Sequence, residues 1–377
     1  MTRLTARCLV GVLLLLASAC TRPESSVDRA DQHLLRGDSL LPLDSVRLAE
    51  TDSASFYVGQ PIAFAVAPSG DVYVSDQVAR RVLVFDRDGD PVRQYGTDGR
   101  GPGSFGAPGA IAFFAGDSLI VADWVRDVLH VYGGDSLLPV RSVRIRGAPM
   151  NIEERSDTLW LGLFNPVQQT GLSSIVVGDS APRYLGPMPS LYKEAPSVVS
   201  SFGFSTISME KSTILLAYAL VPRVYRLASD GQIVDSADVP KRLRRSDVND
   251  LSAAVRNFGN FEQWMNGVSM VTAVRALPDS TVLVVMSDHE WKNNVVGGQS
   301  YLVVLDSDLK PLCTDIILRY PANVRPLVAF RGDTLYTLTQ EVSDAGTGDG
   351  LGAPTYLRRY LVGRWLCGGS GMSDARQ

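Results

Sequence analysis

From Ile62 onward short apolar runs alternate with turn residues, and one order of runs returns. Ile62-Ala63-Phe64-Ala65-Val66 leads to the turn pair Ser69-Gly70, then to Val72-Tyr73-Val74-Ser75-Asp76 and Arg81-Val82-Leu83-Val84-Phe85. The turn pair Asp88-Gly89 and a run from Pro91 to Tyr95 complete the unit. Short runs rich in β-branched and aromatic residues, bounded by Gly and Asp, predict strands joined by tight turns. The next unit repeats the first in register, since Val121, Asp123 and Tyr132 fall 47 residues after Val74, Asp76 and Phe85. Such a unit cannot bury both faces alone, so successive units must stack. Four more, at Met150 to Gly186, Val198 to Val239, Met270 to Leu318 and Arg325 to Gly363, keep the order with longer insertions. The pattern predicts an all-β, six-bladed β-propeller over residues 38–367. The last unit shows three strands, while the run Leu41 to Ala49 stands unpaired before the first. An open strand edge invites mispairing, so this N-terminal strand is expected to close the last blade.

The strand pattern breaks once. After Lys241-Arg242-Leu243-Arg244-Arg245, Ser246 or Asp247 offers an N-cap, and Val248, Leu251, Val255 and Phe258 recur at helical spacing before Gly259. One short helix is therefore expected between the fourth and fifth blades. Its basic entrance reads either as a solvated helix start or as a contact for anionic lipid.

Ahead of the strands, Arg3 and Arg7 precede an apolar run from Cys8 to Ala19, which is the charged and apolar part of an export signal over residues 1–19. Leu16-Ala17-Ser18-Ala19-Cys20 resembles the lipobox of bacterial lipoproteins, with Ala17 where leucine is commoner. That resemblance implies lipidation of Cys20 and a bilayer as partner. Thr21 in place of aspartate implies onward transport to the outer membrane, hence a cell-envelope location on its periplasmic or surface side. Cleavage without lipidation after Ala17-Ser18-Ala19 is the alternative. Residues 20–37 are polar, carry both charge signs and lack apolar period, as a tether would; residues 368–377 read as a disordered tail.

Charge and cysteine content narrow the picture. Without Arg3 and Arg7 the chain carries 34 basic against 40 acidic residues, which gives no footprint for nucleic acid. With Cys8 in the signal and Cys20 on lipid, Cys313 and Cys367 remain in an oxidising setting, as a disulfide or as two separate thiols.

Gly96-Thr97-Asp98-Gly99-Arg100-Gly101-Pro102-Gly103-Ser104-Phe105-Gly106-Ala107-Pro108-Gly109-Ala110-Ile111-Ala112, followed by Leu119-Ile120-Val121-Ala122-Asp123, resembles an NHL repeat. The likeness covers the first two blades and fades afterwards. It departs inside them, because Ala79 and Arg126 stand where the family often has asparagine, and Val128 where it often has arginine. The resemblance implies fold and not activity. Some six-bladed relatives are metal-dependent lactonases or lyases with carboxylate and amide ligands at the channel mouth, which makes Asp76 and Asp123 candidate ligands for a divalent metal. Aspartate at a strand end also caps the following turn.

Other motifs carry less. Gly101 to Gly106 fits G-x-G-x-x-G, but a strand follows where a dinucleotide site needs a helix. Asp86-Arg87-Asp88-Gly89-Asp90 has calcium-loop spacing without the distal glutamate, and lies where a hairpin turn is expected. A Ser-His-Asp site would need His130 or His289. In a propeller, the connections from second to third strand and from blade to blade share one face. The long insertions Gly96 to Pro108, Asn165 to Gly171, Lys241 to Gly267, Asp288 to Gln299 and Glu341 to Pro354 therefore crowd one end of the channel. Trp124, Asn165, Asp288, His289, Glu290 and Trp291 supply aromatic, amide, acid and titratable groups there. Two functions follow: a binding module for a peptide, glycan or protein, or a metal-assisted hydrolase or lyase.

Overall fold

The computed structural model describes residues 39–368 except 50–55, 97–99, 115–117, 135, 166, 180, 195–203, 241–268, 289, 293–294, 321–325 and 342–352. The helix expected between blades 4 and 5, Cys20, the signal, the tether and the tail beyond Gly368 lie outside the described residues. Six sheets form the blades of a β-propeller, each running from an inner strand at the axis to an outer strand at the rim. Blade 1 consists of Pro61–Val66, Val72–Asp76, Arg81–Phe85 and Pro91–Tyr95, and blade 2 of Pro108–Phe114, Ser118–Asp123, Val128–Tyr132 and Arg141–Arg144. Blade 3 runs Ala148–Arg155, Thr158–Asn165, Thr170–Val176 and Arg183–Leu185; blade 4 runs Ser205–Met209, Ile214–Tyr218, Val221–Leu227 and Ile233–Asp238. Blade 5 has Ser269–Ala276, Val282–Asp288, Ser300–Leu305 and Pro311–Leu318. Blade 6 has Leu327–Arg331, Thr334–Gln340, Thr355–Leu361 and, from the other end of the chain, Asp44–Leu48.

Burial along each strand explains the sequence pattern. Strands in mid-blade are sandwiched between neighbouring blades, so both alternating sets of side chains must be apolar; Val72–Asp76 and Arg81–Phe85 are buried at every position. Rim strands have one wet face, and Pro91–Tyr95 and Asp44–Leu48 alternate between covered and exposed. The core is consequently a ring of clusters, one between each pair of neighbours. Tyr73, Tyr95, Phe105 and Tyr132 pack between blades 1 and 2, for example, and Leu40, Leu283, Leu335 and Tyr360 between blades 5 and 6. Buried hydroxyls cross these seams: Ser75 Oγ donates to the Gly109 carbonyl at 2.6 Å, and Ser205 Oγ to that of Gly171 at 2.7 Å.

The ring closes as the unpaired N-terminal run requires. Asp44–Leu48 pairs antiparallel with Thr355–Leu361, placing Asp44 opposite Arg359, whose Nε donates to Asp44 Oδ1 at 2.7 Å. Ser39 and Leu40 add a pairing that the sequence pattern does not announce, lying parallel to the end of Pro311–Leu318 in blade 5. A disulfide joins Cys313, in that strand, to Cys367 in the closing turn Arg364–Cys367, with 5.4 Å between the Cα atoms. The other described helix is the short Ser190–Glu194, before blade 4. The calcium-like spacing at Asp86 is a hairpin turn, in which Asp86 Oδ1 accepts the amides of Asp88 and Asp90, both at 2.9 Å. Gly89 has φ +91° there, and a Cβ would stand 2.4 Å from the Arg47 carbonyl oxygen of the closing strand.

Candidate functional site

The acidic residues expected to face a ligand are held by backbone instead. Asp76, the last residue of its strand, accepts amides from Gly59 at 2.7 Å, Gln60 at 3.2 Å and Ala79 at 3.1 Å. Asp123 accepts from Gly106 at 2.7 Å, Ala107 at 3.1 Å and Arg126 at 3.2 Å. Asn165 accepts from Val167 and Gln168, both at 3.0 Å, and its Nδ2 donates to the Arg146 carbonyl at 3.0 Å. Each of these buried side chains ties the segment entering its own blade to the turn after the second strand. Gln340 holds the corresponding place in blade 6 and donates to the Val58 carbonyl at 2.8 Å. Asp76, Asp123 and Asn165, expected at the ligand face, thus have polar atoms that already satisfy buried amides and carbonyls. Trp124 is engaged likewise. Its Nε1 donates to the Pro149 carbonyl at 2.9 Å, bridging blade 2 to blade 3, and its ring lies over Gly109, where a Cβ would come within 2.1 Å of the indole nitrogen.

The remaining loop candidates divide. Asp288 is half-buried, ends the second strand of blade 5 and accepts a hydrogen bond from the Ser269 hydroxyl. Glu290 and Trp291 lie in a small hairpin, Glu290–Lys292 paired with Val295–Gly297, while His289 is outside the described residues. Among the described residues no three His, Cys, Asp or Glu side chains gather as a metal would need.

His130 does meet a serine and an aspartate. Its Nδ1 is 2.9 Å from Ser142 Oγ, but Nε2 is 3.9 Å from Asp123 Oδ2, beyond hydrogen-bond reach. Ser142 is exposed on a rim strand, and Asp123 is engaged by three amides, so the trio does not form a nucleophilic relay in a cleft. Burial pushes the His130 pKa below its ordinary value of 6.5; Asp123 opposes the shift and Arg126 adds to it.

The axis of the ring holds what the sequence reading missed. A cavity of about 430 Å³ is lined by the inner strands of all six blades, with Phe113, Thr206 and Phe330 among its walls. Across it, Arg275 of blade 5 donates from Nη1 to both carboxylate oxygens of Glu153 of blade 3, at 2.9 and 3.3 Å. The Arg275 guanidinium also lies 6.0 Å from the Phe330 ring centre. Its Nε is buried and has no hydrogen-bond partner among the described residues. Burial pushes the Glu153 carboxyl above its ordinary pKa, against the pull of Arg275. Both residues sit near the ends of their inner strands, toward the face of the first-to-second-strand hairpins, and so away from Asp76, Asp123 and Asp288. The signal available in sequence was charge on inner strands, Arg275 between Val274 and Ala276 and Glu153-Glu154 after Ile152.

No family model matches the sequence, and no curated protein matches it. Solved structures do. A DUF4221-family protein from Bacteroides vulgatus superposes with a TM-score of 0.59 at 9% identity, covering 84% of this chain and 96% of that one. The neighbours share its fold. A putative exported protein from Bacteroides fragilis gives a TM-score of 0.53 at 11% identity, over 85% of this chain and 95% of that one. A catalytically inactive virginiamycin B lyase from Staphylococcus aureus, with quinupristin, gives 0.50 at 10% identity, over 85% and 99%. At such identities the likeness carries the propeller architecture and no chemistry.

Proposed function

We propose that this protein is an extracytoplasmic binding module, held to a membrane through lipidated Cys20, that takes a ligand in its central channel. The observation behind this reading is the Arg275–Glu153 pair, a charged pair inside a cavity of about 430 Å³ whose lining mixes apolar side chains such as Phe113 and Phe330 with Asn151, Glu154 and Arg331. Ligand pockets typically run from roughly 300 to 1,000 Å³, with apolar walls and a few convergent polar groups. The lipobox-like segment and the exported Bacteroides fragilis neighbour support placement outside the cytoplasm. Among the described residues no helix is long and apolar enough to cross a membrane, and the proposed anchor rests on the lipobox-like Leu16 to Cys20. The binding reading is preferred to the metal-assisted hydrolase because Asp76 and Asp123 are fully buried and each already accepts three backbone amides.

A thermal-shift screen of small anions, sugars and peptides tests the channel when run on the parent and on Thr272→Trp, which fills the cavity from blade 5. Ligands that raise the melting temperature of the parent alone are the expected result. Ligands that raise both equally bind the outer surface and remove the channel from the function.

A further inference from the structure

One turn is built three times on one face of the ring. Asp76, Asp123 and Asn165 each end a second strand and accept the amide three residues on, from Ala79, Arg126 and Gln168. The next residue, Arg80, Asp127 or Gln169, takes a φ of +53°, +54° or +52°, so the three turns share one conformation. Each displays a valine two residues after its cap, and Val78, Val125 and Val167 are 56%, 73% and 76% exposed. Turns favour Gly, Asn, Asp and Ser, so the conformation does not call for valine. Single exposed apolar side chains are ordinary, but three at equivalent positions of consecutive blades are not scattered.

The charge around them is mostly of one sign. The second-to-third-strand turns of blades 1–3 and the connections between those blades expose Arg80, Arg100, Arg144 and Arg146. Among the described residues there, Asp127 is the one exposed acid. On the opposite face, exposed Asp88, Asp90, Asp157, Asp230, Asp308 and Asp333 outnumber Arg87, Lys211 and Lys310 in the hairpins. The ring is thus polarised along its axis.

We propose that the face carrying Val78, Val125 and Val167 lies on an anionic bilayer, with the valines in the headgroup layer and the arginines against lipid phosphates. On the reading that Cys20 is lipidated, the domain is kept beside a membrane. Residues 21–38 can extend to roughly 60 Å, against a radius of gyration of roughly 20 Å for a domain of this size, so the surface and not the tether selects the face. Three separate tips on rigid turns suit a planar surface, which meets them together, better than a peptide, which needs a continuous groove or edge. The channel mouth nearer Arg275 and Glu153 then opens away from the bilayer.

The Cys20→Ser variant separates this contact from the anchor. It should sediment with vesicles containing phosphatidylglycerol at low salt, not with pure phosphatidylcholine vesicles, and come off in about 0.5 M salt. One arginine at an anionic surface is worth about fivefold in binding, so adding Arg144→Gln/Arg146→Gln should weaken it by roughly twentyfold. Adding Val78→Ser/Val125→Ser/Val167→Ser should weaken it as well, and melting should stay unchanged in both because the altered side chains are exposed. An environment-sensitive dye on Val125→Cys should shift to the blue on these vesicles, whereas one on Val234→Cys, an exposed valine of the outer strand of blade 4, should not. Equal sedimentation with both vesicle types, binding that survives both sets of substitutions, or a dye shift at Val234 alone would overturn the proposal. Binding to neither vesicle would overturn it too and leave the face to a protein partner. None of these results touches the anchor, which fails instead if Cys20→Ser stays on cell membranes in high salt.

Discussion

Asp123 shows how much one side chain can hold. Its carboxylate accepts three backbone amides while fully buried, and removing it would leave those donors without partner or water. Asp123→Ala should lower unfolding free energy by about 3 kcal/mol, read as a fall in the urea midpoint, and Asp123→Asn by less because the amide oxygen still accepts. An unchanged midpoint for the alanine variant would mean that the amides find other partners. Asp76→Ala should behave the same way for the same reason. His130 makes a pH-dependent contribution of definite sign. Burial favours its neutral form, so its folded pKa lies below the ordinary 6.5. The unfolded chain then binds more protons between the two values, and stability falls as pH drops through 6.5 toward the folded pKa. Between about pH 7.5 and about pH 5 the parent should lose more stability than His130→Gln, by chemical denaturation at each pH. Equal losses would place the pH dependence on other groups.

At the scale of strands and turns, the disulfide between Cys313 and Cys367 closes a 54-residue span that includes most of blade 6. Loop-closure entropy for that span sets its worth at about 4 kcal/mol, so the double variant Cys313→Ser/Cys367→Ser should melt well below the parent under non-reducing conditions. Coincident melting curves would show that the bond constrains nothing. Blades 1 and 2 were legible because mid-blade strands bury both faces, which forces residues such as Val74 and Val121, or Phe85 and Tyr132, to recur at one spacing. Blade 6 was legible as a deficit of one strand. Ser39 and Leu40 were not, since two residues carry no periodicity. The candidate site was read less well for a physical reason. Aspartate at a strand end has the same neighbours in sequence whether it binds a ligand or caps a turn, and Asp76, Asp123 and Asn165 are caps. Glu153 and Arg275, 122 residues apart, become neighbours only across the closed ring, and no local pattern records that.

For the whole molecule, anchoring and closure are the properties to test. Cys20→Ser should move the protein from membranes into the soluble fraction of cell extracts, and retention of the variant in high salt would assign the attachment to another feature. Deleting residues 39–48 uncovers the strand Thr355–Leu361, and an unpaired edge templates association. The deletion variant should aggregate and melt lower, whereas a monomer with the parent's melting curve would refute this mode of closure. The closing contact also imposes an order in time. Asp44 pairs with Arg359 across 315 residues, so the earlier strand waits until one made 315 residues later is available. Every shorter nascent chain has an incomplete circle, whatever its first blades have already packed. Emergence of Thr355–Leu361 is therefore the moment at which a string of stacked sheets can become a closed body, and a transcript truncated before Thr355 encodes a chain that never reaches it.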